Sequence, residues 1–205
     1  SCYLVTVYLV LSAVDTFINF RILFSCWVII LMNNPKMLVD RTALKMSRNR
    51  AIDSGGYFLH ELAIAEVKDR LSNINRDFQS IAIVTGLSTT WRKAFPSATI
   101  IEDNENLNLQ RGKYDLVIHG MALHWANDPV GQLIQLRLAL KSDGLMIAVC
   151  LGGTTLNELR DVLTEAETKL SGGIHPRFMP LAEIRDLGSL MQRAGFALPV
   201  ADSTV

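Results

Sequence analysis

The stretch Tyr114–Trp125, YDLVIHGMALHW, decides the fold. Leu116–His119 is an apolar run entered through Tyr114-Asp115, and its length and composition predict a strand buried on both faces. A glycine and a mixed loop follow it, and then Asn127-Asp128-Pro129. That triplet predicts a helix start, with Asp128 as N-cap and Pro129 at the first helical position. Strand, loop and helix in this order mark one unit of an α/β fold. The loop then lies at the carboxyl end of the strand, where open α/β sheets bind ligands.

Working outward, the same alternation continues on both sides. Upstream, Asp53-Ser54-Gly55-Gly56 precedes a predicted helix over 57–74, with Leu59, Leu62, Ala63, Val67, Leu71 and Ile74 at helical spacing. Ile81–Val84 and Ala98–Ile101 are short apolar runs, read as buried strands, with a short helix over 89–95 between them. Downstream, the helix from Pro129 runs to about Lys141. Ser142-Asp143-Gly144 predicts a turn, and Leu145–Leu151 a further buried strand. Thr155-x-x-Glu158 fits a capping box ahead of the stripe Leu156, Leu159, Leu163, Ala166, Leu170. A last helix is expected over 181–194, stopped by Gly195, with a strand opening at Phe196–Val200.

Composition narrows the class. The 205 residues carry 20 Lys+Arg against 20 Asp+Glu, so no basic excess exists to neutralise phosphates and nucleic acid is not an expected partner. Hydrophobic residues make up 49%, which excludes a disordered chain. Three widely spaced cysteines exclude a disulfide framework or a cysteine zinc site, and no metal site is predicted. Residues 1–31 stand apart, with only Asp15 and Arg21 charged. Their uncharged runs are short for a membrane span, and no basic region marks a signal peptide. This segment is read as foreign to the natural protein, with Met32 or Met37 as the natural start. A membrane anchor is the alternative. The expected domain is then 32–205, truncated at its C-terminus.

Tyr114–Trp125 with Asn127-Asp128, and Leu140–Gly144 (LKSDG) before an apolar strand, resemble class I S-adenosylmethionine-dependent methyltransferases. Gly152–Arg160 (GGTTLNELR) and Asp186–Phe196 (DLGSLMQRAGF) are similar to the branch that holds the malonyl-carrier-protein methyltransferase of biotin synthesis and a complex I assembly factor with arginine hydroxylase activity. The resemblance implies a Rossmann-like, three-layer α/β fold with a mostly parallel sheet. It implies methyl transfer from S-adenosylmethionine to a protein side chain or a carrier-bound carboxylate. The alternative it brings is a non-catalytic or hydroxylating assembly factor for respiratory complex I. The cytoplasm is the default compartment, and an inner membrane the alternative if residues 1–31 are native.

The resemblance also assigns residues. Thr85 and Gly86 take the glycine turn after the first strand, and Asp103 and Glu105 the acidic ribose and adenine side. His119 and Gly120 border the cofactor, and His124 and Trp125 are the candidate catalytic residues. The sequence departs from the family at the turn, where only Gly86 remains of the glycines and Leu87 and Thr89 add side chains. One βα unit is also missing, because only Thr85–Ala98 separates the first strand from the next. Ala98–Ile101 aligns best to the family's third strand. Alternatively it is the second, ending in its acid. Asp128 also reads as a cap alone, Cys150 as core, and Lys45, Arg48 and Arg50 as a solvated face or partner contact.

Overall fold

Among the described residues, four parallel strands in the order β2-β1-β3-β4 form one sheet. They are β1 (Ile81–Thr85), β2 (Thr99–Ile101), β3 (Tyr114–Gly120) and β4 (Leu140–Val149). The computed structural model describes residues 37–203 except 154, 176, 177 and 180. The expectations for residues 1–31 lie outside the described residues. Among those described, no helix is long and apolar enough to cross a membrane.

Among the described residues, six α-helices accompany the sheet: α1 (Arg41–Asp53), α2 (Phe58–Ser72), α3 (Ser88–Ala94), α4 (Pro129–Ala139), α5 (Asn157–Ser171) and α6 (Ile184–Arg193). Two buried clusters share the alternating side chains of the strands. Ile83, Leu116 and Ile118 pack with Ala63, Ile64 and Val67 of α2 and Trp91 of α3. Ala82, Val84 and Val117 pack with Leu133, Leu136 and Ala139 of α4, flanked by Leu190 and Met191 of α6. These are the three layers expected, helix on sheet on helix, with apolar strands covered on both faces.

β2 lies directly beside β1, with Ile83 opposite Ile100. In a doubly wound sheet of order 3-2-1-4-5-6 that is the place of the second strand. Position therefore favours the alternative alignment, in which β2 is the strand that ends in an acid.

Local signals explain most boundaries. Asp128 Oδ1 accepts from the Gly131 N–H at 2.8 Å, ahead of Pro129, as the sequence predicts. Gly195 has φ 84 and closes α6 with Gly195 N to Gln192 O at 2.9 Å and Phe196 N to Met191 O at 3.1 Å. This double bond is a Schellman cap, and it ties Phe196 back to the helix. No strand forms over Phe196–Val200. The predicted turn at 142–144 is instead a bulge inside β4: Tyr114 pairs with Leu140 and Leu116 with Leu145, so the intervening residues oppose Asp115 alone. Asp143 takes φ 61 there. The capping box does not form either. Thr155 N donates to Gly152 O at 3.0 Å in a turn, and α5 starts later, behind a left-handed Leu156 with no side-chain cap. Helix α1 was not predicted. Asp40 caps it, accepting from the Thr42 and Ala43 N–H groups at 2.9 and 3.0 Å.

Candidate functional site

The carboxyl ends of β1, β2 and β3 bring together Thr85, Gly86, Asp103, His119 and Gly120. β1 delivers Thr85, whose Oγ1 accepts from the Leu87 N–H at 3.2 Å and tightens the turn around Gly86. Leu87 is folded into the core.

Asp103, just past β2, is only 4% exposed. Its two carboxylate oxygens each accept from Arg48, at 2.8 Å, in a fork-to-fork pair. Arg41 lies 3.4 Å from Oδ1 and donates to the Asp103 backbone carbonyl as well. Its other nitrogen reaches the Trp125 carbonyl at 3.4 Å. Arg41 and Arg48 are seven residues apart on α1, two helical turns, and so share one face. Arg48 therefore does not lie on a solvated face as its sequence neighbourhood implied. It lies against Gly86, where a Cβ would strike its guanidinium.

Gly120 has a tenant of its own. A Cβ there would meet the Trp91 ring at 2.5 and 2.6 Å. Trp91 is fully buried, stacks on Phe95 with centroids 6.3 Å apart, and donates its Nε1–H to His60 Nδ1 at 3.0 Å. Glycine at 120 is thus required by the indole that covers it.

Three histidines surround this edge. Gln132 of α4 donates its amide to Asn104 O at 3.0 Å, so its Oε1 is free to accept the His119 Nε2–H, also at 3.0 Å. His119 Nδ1 then carries a bare lone pair, buried and with no partner among the described residues. Burial pushes the His119 pKa down to about 4. His124 is likewise pushed down to about 4, first by burial and then by Arg48 and its histidine neighbours. Its Nδ1 accepts the Leu151 N–H at 3.4 Å. Burial and Arg48 also lower His60. With pKa values near 4, His119 and His124 are neutral at pH 7 and accept protons weakly there.

The remaining candidates brace loops. Glu105 Oε1 accepts from Asn127 Nδ2 at 2.9 Å, and Asn127 Oδ1 accepts from the Leu38 and Val39 N–H groups at 2.7 and 2.9 Å. Trp125 offers its carbonyl to Arg41, and its ring packs 5.2 Å from that of His124. Among the described residues, no group of three or more His, Cys, Asp and Glu is arranged to hold a metal ion. S-adenosylmethionine, which the resemblance implies, needs open backbone at the turn and a free acid beyond the second strand. Here Gly86 faces Arg48, Gly120 faces Trp91, and both Asp103 oxygens are taken. The residues as they stand do not fit that group.

Arg41, Arg48, His60, Trp91 and Gln132 complete the site; the sequence reading took Arg48 for a solvated face or partner contact and assigned the other four no place in it. The seven-residue spacing of the two arginines behind Asp40 was the available signal. The others reach the edge only through tertiary packing.

The chain is 36% identical over 140 residues to the mouse (Mus musculus) protein named Arginine-hydroxylase NDUFAF5, mitochondrial, covering 68% of this chain and 40% of that protein. It is 36% identical over 105 residues to the Malonyl-[acyl-carrier protein] O-methyltransferase of Laribacter hongkongensis, covering 51% of this chain and 33% of that one. Among solved structures it matches a SAM-dependent methyltransferase of Thermotoga maritima with TM-score 0.50 and 15% identity, covering 73% of this chain and 79% of the other. No protein-family model matches. The chain spans 40% of the length of the mouse relative. Its fold is that of the S-adenosylmethionine-dependent methyltransferases, and its sequence is related to both the arginine hydroxylase and the carrier-protein methyltransferase.

Proposed function

We propose that this chain is a protein-directed member of the methyltransferase family, of the assembly-factor kind, whose nucleoside edge is closed in the resting state. One observation carries the reading: Arg48 forms its two-pronged pair with Asp103 directly across Gly86. With both oxygens of the Asp103 carboxylate in the Arg48 fork, a ribose reaches that face only by displacing Arg48. The partner is a protein or a carrier protein, which the similarity to NDUFAF5 and to the carrier-protein methyltransferase supports. Calorimetric titration with S-adenosylmethionine and S-adenosylhomocysteine tests the reading. No heat and no thermal shift at millimolar ligand is expected; micromolar binding to the unaltered chain overturns it.

The second reading is S-adenosylmethionine-dependent methyl transfer to a protein side chain or a carrier-bound carboxylate. It draws support from Thr85, Gly86 and Asp103 standing together at the strand ends, and from Arg48 being the tip of a flexible side chain. Transfer would be an in-line displacement governed by positioning. Incorporation of labelled methyl into a carrier protein, or its absence, separates the two readings. The expected compartment is the cytoplasm, with a respiratory inner membrane as the alternative; cell fractionation distinguishes them.

A further inference from the structure

We propose that helix α1 is a releasable strap across the carboxyl edge of the sheet, and that its Arg48 is an internal stand-in for the vicinal hydroxyls of a ribose. The inference rests on the closed-edge reading and adds what closes it and what would open it.

A ribose diol offers two O–H donors side by side, and a carboxylate accepts both through its two oxygens. Arg48 offers Asp103 the same two-donor fork, with both bonds at 2.8 Å. The guanidinium and a nucleoside therefore compete for one acceptor pair. The strap is anchored at one end, where Asn127 Oδ1 takes the Leu38 and Val39 N–H groups and Glu105 holds Asn127 in turn. Beyond that anchor, no residue of α1 is buried. Arg41 reaches the Trp125 and Asp103 carbonyls, and Arg48 reaches the Asp103 carboxylate. The helix is thus fastened to the edge by two arginines rather than by an apolar face. Such a fastening opens locally at less cost than a buried helix does. Both arginine side chains retain about a quarter of their exposure, at 24% and 22%, so water can replace their bonds when they leave.

Departure of Arg48 frees both carboxylate oxygens of Asp103, which keeps Arg41 at 3.4 Å, and uncovers Gly86 on that side. Affinity for a nucleoside is then limited by the fraction of molecules with the strap open.

The test measures binding of S-adenosylhomocysteine, adenosine and 2′,3′-dideoxyadenosine to the whole chain, to Arg48→Ala and to Arg48→Lys. Hydrogen exchange of the α1 amides is followed in parallel. Removing the fork raises the open fraction, so affinity for the first two ligands is expected to rise about tenfold or more in Arg48→Ala. Arg48→Lys, which keeps the charge and loses the fork, falls between. The dideoxy compound gains nothing, and α1 amides exchange faster in both variants. If Arg48→Ala fails to melt cooperatively, Arg48→Lys carries the comparison. Folded variants without gain, above an unaltered chain that is itself silent, overturn the strap and leave the closed edge standing. Micromolar binding to the unaltered chain, weakened by either substitution, overturns both.

Discussion

The sheet buries a carboxylate at each end, Asp115 where β3 begins and Asp103 beyond the end of β2. Each is under a tenth exposed. Asp115 accepts from the Ser80 N–H at 2.9 Å and the Gln79 N–H at 3.1 Å, and Lys141 lies 3.6 Å away. Burial works to raise its pKa, and the two backbone N–H groups with Lys141 outweigh it, so the carboxyl is held below its usual range. Its backbone partners belong to the segment entering β1, already fixed by the ladder with β3. Asp103 is satisfied by side-chain tips from a helix more than fifty positions earlier in the chain. One end is stitched by backbone and the other is fastened by removable side chains. Closure at the amino end is structural, and closure at the carboxyl end is conditional.

That contrast can be broken or sharpened by measurement. Among single substitutions the largest effect is expected at the stitched end: Asp115→Ala takes the acceptor from the part-buried N–H groups of Gln79 and Ser80 and lowers stability by about 2–3 kcal/mol, read by urea denaturation. Acid should separate the two ends. His119 and His124 have folded pKa values lowered from 6.5 to about 4, so the unfolded chain binds protons first. Their contribution is complete above 6.5 and is lost as pH falls toward 4, amounting to about 2 kcal/mol for each ring between pH 7 and pH 5. Asp115, with its pKa lowered from 3.8, loses its share only below that value. Urea melts at pH 7, 5 and 3 should show the carboxyl end loosening first, and a flat profile between 7 and 5 would contradict the neutral histidines.

Gly120→Ala drives a methyl into the Trp91 ring and should cost about 1–2 kcal/mol. Combined with Trp91→Phe it should cost less than the two singles added, since they share one contact. Arg48→Ala removes a pair whose cation is partly solvated, and about 1 kcal/mol is expected, well below Asp115→Ala. Equal losses in Arg48→Ala and Asp115→Ala would erase the distinction between the two ends. Lys169→Ala, in an exposed pair with Glu165 on α5, should change stability by less than about 0.5 kcal/mol and serves as the baseline.

How much was legible in the sequence follows the same division. The strands could be read because Ile81–Val84 and Leu116–Ile118 are apolar throughout, and burial on both faces leaves little else for such runs to be. Asp128-Pro129 and Gly195 worked because a cap is decided by residues within one helical turn. The capping box at Thr155 failed because the Gly152–Thr155 turn claimed its first residue. The bulge in β4 hid behind a real turn signal, since Asp143 does adopt a left-handed backbone, but inside a strand. Thr85, Gly86, Asp103, His119 and Gly120 were assigned to one edge by the resemblance to the methyltransferases. Who touches them was not readable. Arg48 looked like part of a charged surface, and only the packing of α1 over the strand ends turned it inward.

Trp91 leads to a practical consequence. Its indole is wholly enclosed, and its nitrogen bonds to a histidine at the rim. The chain therefore carries its own optical gauge of that rim. In a Trp27→Phe, Trp125→Phe background, its emission should sit at short wavelength while the enclosure holds and drift red as solvent enters.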